Sequence, residues 1–386
     1  MTVTVTTQSP RKGTRLEFLD AARGIAAFAV MLQHSLEKST ATFLSWSVHH
    51  FNLGAFGVVI FFIVSGFIIP VSIERSQTLA AFWSNRFFRL YPIYWVSLIT
   101  VLALGYFRLY GLPAVFLSHP FLASMANATM LQVFLRIPDA LGVYWTLSLE
   151  LVFYILCSIL FAAGWLQRAI LWAWTSVALM TLCVVVTGLG FHRSIPAGRL
   201  GLLVTAFVGT AIFRLYSKQV EKKTVYSLLV ATLATLLIGF WFRFHQYPSK
   251  GEDGWNLLGV SASWVLAYVL FGLLYALRNR SFPRWILWLG RISYSLYLVH
   301  GIVLSLLPAD LNPVVFVASV IGLSVAISAV TYEFIEKPAI EFHRSRMRER
   351  RLHKDPSLAT GKAWKALSLP CPRPRMGRRV RERECR

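Results

Sequence analysis

Ten apolar segments, separated by short polar stretches, constrain the fold more than any other feature of the sequence. Each is long enough for an α-helix, at 1.5 Å per residue, to cross a hydrocarbon core of about 30 Å. Hydrophobic residues make up 56% of the chain, and its mean hydropathy is +0.57. The sequence therefore predicts an all-α polytopic integral membrane protein with spans at 16–36, 51–73, 90–109, 143–163, 168–189, 199–216, 225–242, 255–277, 285–306 and 313–335.

One further segment, 114–135, is apolar enough to suggest an eleventh span. His119, Pro120, Asn127 and Gln132 interrupt it. Polar groups and proline at membrane depth are tolerated where backbone lines a cavity or is buried in protein. We therefore interpret this segment as re-entrant or interfacial.

The distribution of basic residues among the loops predicts the orientation. With ten spans, one set of alternate loops is rich in Lys and Arg, and the opposite loops hold few. The N-terminus and the C-terminal tail belong to the rich set, so both termini are predicted to be cytoplasmic. The basic loop residues on the predicted cytoplasmic face are Arg75, Arg86, Arg89, Arg168, Arg214, Lys218, Lys222, Lys223, Arg278, Arg280 and Arg284.

Half of the net charge of +22 lies in the C-terminal tail. From 343 to 386 there are fifteen Lys or Arg against four Asp or Glu. On a membrane protein this pattern favours a disordered cytoplasmic segment on anionic lipid over a nucleic-acid site. We predict a polar N-terminus at 1–14, a transmembrane domain at 15–340, and a basic tail at 341–386 that is dispensable for catalysis beyond about residue 344.

The four cysteines show no ligand spacing. Cys157 and Cys183 lie in apolar segments, and Cys371 and Cys385 lie in the tail, with no CxxC pair. We expect no disulfide framework, no metal site and no tightly bound cofactor.

The first span carries ionisable groups that a simple anchor would not need. Asp20 and Arg23 lie near its start, and His34 follows Arg23 by eleven residues, about 16 Å along one helix face. Charged groups inside a membrane are costly, and their default interpretation is functional.

Other ionisable groups fall into two predicted layers. His34, Glu150 and His300 all lie in the outer parts of their spans, whereas Arg86 and Arg89 lie just before the third span, at the cytoplasmic level with Arg23. This predicts an acid/base layer outside and a cationic layer inside. Each residue also has a plainer explanation. A histidine can be a hydrogen-bonded packing residue, Glu150 the structural partner of a cation, and the arginines topology anchors.

Together these motifs resemble the membrane acyltransferase 3 family. The resemblance rests on Arg23 and His34 in the first span and on four segments in the expected order: FFIVSGF at 61–67, NRFFRLYP at 85–92, WTLSLE at 145–150 and SYSLYLVH at 293–300. It covers about 15–337. Members of this family O-acylate cell-envelope carbohydrates and some antibiotics with acyl-CoA as donor.

The resemblance implies roles for particular residues. His34 would be the catalytic histidine, and Arg23, Arg86 and Arg89 would bind the acyl-CoA donor. The donor is expected to be acetyl-CoA. The acceptor would be a carbohydrate hydroxyl, and the protein would be an O-acetyltransferase of the cell (inner or plasma) membrane, with no nucleic-acid partner.

The chemistry of the residues agrees with these roles. Acyl transfer to a hydroxyl needs a base, and histidine has the side chain whose ordinary pKa lies closest to physiological pH. Glu150 would orient the imidazole, His300 would support it, and arginine forks would bind phosphates bidentately. A proton-coupled transporter would use similar residues but should show repeated, broken helices, and no internal repeat is visible. A non-catalytic scaffold would not need charged groups at matching depths.

Overall fold

The fold is known from a computed structural model that describes residues 16–76, 78–247, 256–308 and 310–354. All regular structure in these ranges is helical, which confirms the all-α prediction. The helices are α1 Glu17–Ser39, α2 Ala41–His49, α3 Leu53–Ser76, α4 Leu79–Tyr106, α5 Val115–Ser118, α6 Pro120–Ala128, α7 Tyr144–Ala162, α8 Ala169–Val185, α9 Ala197–Tyr216, α10 Lys222–Trp241, α11 Leu257–Ala276, α12 Arg284–Leu306, α13 Pro313–Thr331 and α14 Lys337–Lys354. Single π-helical turns extend three of them, at Val186–Gly190, Phe242–Gln246 and Tyr332–Glu336.

Within the described ranges, nine helices are long and apolar enough to cross a membrane: α3, α4 and α7 to α13. They match the second to tenth predicted spans. α1, the predicted first span, is not among the nine by composition, since Glu17, Asp20 and Arg23 lie in its first two turns. Its 23 residues still cover about 35 Å. Orientation relative to the cytoplasm stays a prediction.

α1 tolerates its charges because other helices surround it. It packs mainly against α12 and α3, and thirteen of its residues are buried. The contact with α12 is backbone to backbone: a Cβ on Gly290 would lie 2.0 Å from the carbonyl oxygen of Asp20, and one on Gly24 would lie 2.7 Å from that of Ile286. Small residues permit such close crossings between membrane helices. The crossing holds Asp20 and Gly24 against α12.

The bundle has two ends, which we name by their residues. At the inner end, the Phe282 amide just before α12 donates to Glu17 Oε2 at the start of α1, at 3.1 Å. At the outer end, Lys38 near the end of α1 donates to the Leu304 carbonyl near the end of α12, at 2.7 Å. α1 and α12 therefore run parallel, and the predicted cytoplasmic face is the inner end.

The segment between α4 and α7 dips back into the bundle. α6 has nine residues, about 14 Å, so it is too short to span. Its C-terminal end accepts hydrogen bonds on three carbonyls from α4 side chains. Tyr94 donates to Asn127, Trp95 to Ala128 and Tyr91 to Thr129. Trp95 is eleven residues before the outer end of α4, about 16 Å along the helix, so this segment, which we call the re-entrant segment, reaches into the bundle from the outer end.

The predicted tail differs from the structure over its first part. Residues 341–354 belong to the helix α14 because its apolar side chains pack on α4, where the Phe88 ring lies 6.1 Å from that of Phe342. The polar N-terminus at 1–14 and the tail beyond 354 lie outside the described residues.

Candidate active site

A cavity of about 1200 Å³ enters the bundle from the inner end. The exposed side chains that line it, such as Arg75, Arg291 and Arg348, all lie there. Along α3 it extends from Ser76 to Val58, about 27 Å and close to the thickness of a hydrocarbon core. Its closed end lies among Val58, Phe61, Thr146, Leu147 and Tyr297.

The structure brings Arg23, Arg86 and Arg89 together in the wall of this cavity. Sequence reasoning placed all three at one level, and the structure places all three in the wall of one cavity. Arg86 and Arg89 lie inside α4 and not before it, because α4 begins at Leu79 under a cap in which the Ala81 amide donates to the Thr78 side chain. One helix therefore presents both guanidinium groups at i, i+3 to the same cavity.

Arg86 is fixed by its neighbours. Its Nη2 donates to the Ser72 hydroxyl at 2.8 Å, and its guanidinium lies 5.5 Å from the Phe82 ring centroid and 5.7 Å from that of Tyr154. These aromatic contacts hold the group while leaving it in the cavity wall. Arg23 lies within electrostatic reach of the cavity carboxylates Asp20, Glu150 and Glu336.

Glu150 is not at the level of the histidines, contrary to the prediction. Its Oε1 accepts from the Ser65 hydroxyl at 2.6 Å and from the Tyr154 hydroxyl at 2.7 Å, and it lines the arginine cavity. The cause is the depth at which α7 begins. The re-entrant segment delivers the chain to Tyr144, which is buried and 2.8 Å from the Ser97 hydroxyl in the middle of α4.

The register of α7 and α12 gives the difference in depth between Glu150 and His300. Thr146 on α7 lies 2.7 Å from the Tyr297 hydroxyl on α12, so these two positions share a level. Glu150 is one turn inward of Thr146, whereas His300 is three residues outward of Tyr297. The two groups are therefore about 10 Å apart in depth.

His34 and His300 do meet, at the outer side of the cavity's closed end. Their rings stack with centroids 5.7 Å apart and planes 9° from parallel. His300 is fully buried, whereas the His34 side chain is 39% exposed. Neither histidine lines the cavity in the described part of the chain. The Tyr297 ring, which lines the cavity, lies 5.9 Å from that of His300.

The hydrogen bonds define the tautomers of both rings. His300 Nδ1 lies 3.0 Å from the Leu296 carbonyl, and His34 Nδ1 lies 3.2 Å from Glu37 Oε2. Carbonyls and carboxylates accept, so in each ring Nδ1 carries the proton and donates. In the neutral ring, Nε2 is then the basic nitrogen. His300 Nε2 is buried, and no described residue forms a hydrogen bond with it.

Glu37 is the site residue that sequence reasoning missed. It holds the imidazole of His34 in the arrangement predicted for Glu150, a carboxylate that orients a general base. Gln33 fixes it by donating to Glu37 Oε1 at 2.7 Å and to the Ser47 hydroxyl of α2 at 2.9 Å. A signal was available, because His34 and Glu37 are spaced i, i+3 on one helix.

The comparison with protein families decides the class of the protein. The model of the acyltransferase domain, Acyl_transf_3, matches residues 16–333. The chain belongs to the membrane acyltransferase 3 family. It is an O-acyltransferase, and the matched region contains all six predicted site residues.

Two of three curated relatives resemble the acyltransferase over most of their length, and the third over less than half. This chain is 26% identical over 356 residues to the exopolysaccharide production protein ExoZ of Rhizobium meliloti (strain 1021), and the match covers 82% of this chain and 96% of ExoZ. Nodulation protein 10 of Rhizobium leguminosarum bv. viciae is 27% identical, with 84% and 94% covered. Acyltransferase MdmB of Streptomyces mycarofaciens is 26% identical over 38% of this chain and 39% of its own. No solved structure matches significantly.

Proposed function

We propose that this acyltransferase moves an acyl group, most simply acetyl, from acyl-CoA to a hydroxyl of a cell-envelope or exported carbohydrate. The donor occupies the cavity from the inner end, and the acceptor approaches His34 from the outer end. The protein lies in the cell (inner or plasma) membrane, and its inner end faces the cytoplasm. The printed name of ExoZ, a protein of exopolysaccharide production, supports a carbohydrate acceptor.

One observation carries this proposal. A cavity rich in arginine leads about 27 Å through the bundle to Tyr297, and beyond that ring lie two stacked histidines, one of them partly exposed. An extended donor with its phosphates at the cationic end would place its thioester at the closed end. Arginine forks bind phosphate bidentately, and a base for the acceptor lies on the other side.

The reaction assigns a role to each group. His34 Nε2 takes the proton of the acceptor hydroxyl while the oxygen of that hydroxyl attacks the thioester carbonyl. Glu37 accepts from Nδ1 and stabilises the imidazolium that forms. As the carbon–sulfur bond breaks, the thiolate leaves, and the proton on His34 passes to it. His300, stacked on His34, keeps the ring in its plane.

Incubating the purified protein with radiolabelled acetyl-CoA and a panel of envelope glycans tests the proposal. Labelled glycan is expected from the wild type, and no label above background from His34→Ala. If no glycan is labelled while the same preparation moves an unmodified saccharide across vesicles, the protein acts as a transporter and the proposal is wrong.

A further inference from the structure

The helix α14 lies outside the family match and yet forms a wall of the cavity. The match ends at residue 333, and α14 begins at Lys337. The π-helical turn Tyr332–Glu336 joins α13 to α14. From α14, seven side chains line the cavity: Lys337, Ile340, Glu341, His343, Arg344, Met347 and Arg348.

α14 is docked where α4 carries its two arginines. The His343 ring stacks on that of Phe88, with centroids 4.8 Å apart and planes 11° from parallel. Its Nδ1 lies 3.4 Å from the Ser84 hydroxyl. Ser84 and Phe88 flank Arg86 in the sequence of α4. The position of α14 is therefore set by the same turns that present Arg86 and Arg89.

Helical spacing divides the arginines of α14 into two groups. Arg344 and Arg348 are four residues apart, on one face, and both line the cavity. Arg346 lies on the opposite face, where its guanidinium covers the Phe342 ring at 4.8 Å, and it is not among the cavity residues. The two cavity arginines are exposed, so they stand at the mouth.

The charge of the cavity fits a polyanion. Eight Arg or Lys line it against four Asp or Glu, a net charge of +4. A CoA nucleotide carries roughly four negative charges, two of them on its 3′-phosphate. If the thioester lies at the closed end, the adenosine 3′-phosphate is the charged group farthest from it, at the mouth.

We propose that Arg344 and Arg348 on α14 form a binding site for the 3′-phosphate of the donor nucleotide, supplied by a helix beyond the family domain. The site rests on the function proposed above, since it assigns one end of that donor. It also revises the expectation that the chain is dispensable beyond about residue 344: Arg348 belongs to the donor site.

Equilibrium binding of CoA and of dephospho-CoA, which lacks the 3′-phosphate, tests the site in nanodiscs of zwitterionic lipid. The wild type should bind CoA about 10-fold or more tightly than dephospho-CoA, because charge-assisted hydrogen bonds are among the strong ones. R344Q/R348Q should lose this preference by binding CoA more weakly while keeping its affinity for dephospho-CoA. R346Q is the matched control and should keep the preference for CoA over dephospho-CoA.

Three results would overturn the site. The double variant could retain the preference, the wild type could show none, or the difference between variant and control could appear only in anionic nanodiscs, in which case lipid head groups are the ligand. Acyl transfer from acetyl-CoA and from acetyl-dephospho-CoA is measured in parallel. The wild type could prefer CoA, and the double variant could lose this preference, while neither protein transfers an acyl group. This result would support the 3′-phosphate site and reject the proposed reaction.

Discussion

The two ends of the candidate site handle ionisable groups in opposite ways. The inner cavity collects cations and carboxylates around an open, exposed mouth. The outer end holds two stacked histidines, one fully buried, and Glu37 contacts His34 there. Phosphate binding depends on summed charge and tolerates small displacements, whereas proton transfer requires one nitrogen in one tautomer. Changes in the cavity should therefore alter donor affinity, and changes at the histidines should alter rate.

The largest effect is expected at His34. His34→Ala should lower kcat by about 10²- to 10⁴-fold, the usual share of acid/base catalysis, with little change in donor affinity. His49→Ala is the control, because this exposed histidine bonds only its own helix, at the Ser45 carbonyl. Steady-state kinetics on both variants measures the difference. A larger loss from His300→Ala than from His34→Ala would move the base to α12.

The next effect distinguishes the role of Glu37 from that of Glu150. Glu37→Gln should lower kcat by about 10²-fold, because an amide does not stabilise imidazolium. Glu150→Gln should act on the KM for acyl-CoA, since Glu150 lies among the arginines. Paired measurements of kcat and KM decide between them. If Glu150→Gln lowers kcat more than Glu37→Gln, the role predicted for Glu150 from the sequence is right and the division drawn here is wrong.

A smaller effect is expected from the arginines of α4. Arg86→Ala with Arg89→Ala should raise the KM for acyl-CoA by about 10-fold or more while kcat changes less. Lysine at both positions should restore part of the affinity, because a point charge does not reproduce the guanidinium fork. Protein level in the membrane is the control. An unchanged KM would identify these arginines as topology anchors.

The smallest effect on catalysis is expected from the helix crossing that supports both ends. Gly290→Ala places a methyl group 2.0 Å from the Asp20 carbonyl oxygen and should destabilise the bundle by about 1–3 kcal/mol, as overpacking does. Gly272→Ala meets no atom within 4 Å and serves as the matched control. Thermal unfolding in detergent should separate the two variants. Equal midpoints would show that the crossing adapts without cost.

The sequence was sufficient for everything that depends on helical periodicity and hydropathy. The nine apolar helices follow from span length, and the grouping of Arg23, Arg86 and Arg89 in one cavity wall agrees with the level predicted from loop charge. The segment 114–135 was predicted to be re-entrant or interfacial, and the sequence did not decide between the two. The similar depth predicted for His34 and His300, from their distance to the outer ends of α1 and α12, agrees with the stacking of their rings. Each of these positions is set by its own helix.

The errors arose where tertiary contacts set the depth of a helix. Glu150 was placed by counting from the start of α7, but that start is sunk into the bundle because the re-entrant segment docks on Tyr91, Tyr94 and Trp95. Residues 341–354 of α14 were assigned to a disordered tail because their charge conceals the few apolar residues that pack on α4. Neither register is encoded in hydropathy.

Sealed vesicles that expose only the inner end to the medium test the central claim most directly, namely that donor and acceptor reach one site from opposite ends. Radiolabelled acetyl-CoA is added outside, and the acceptor glycan is enclosed within. Label should appear on the enclosed glycan, and His34→Ala vesicles should show none. Label only on glycan added to the outside, with the enclosed glycan unmodified, would contradict the account.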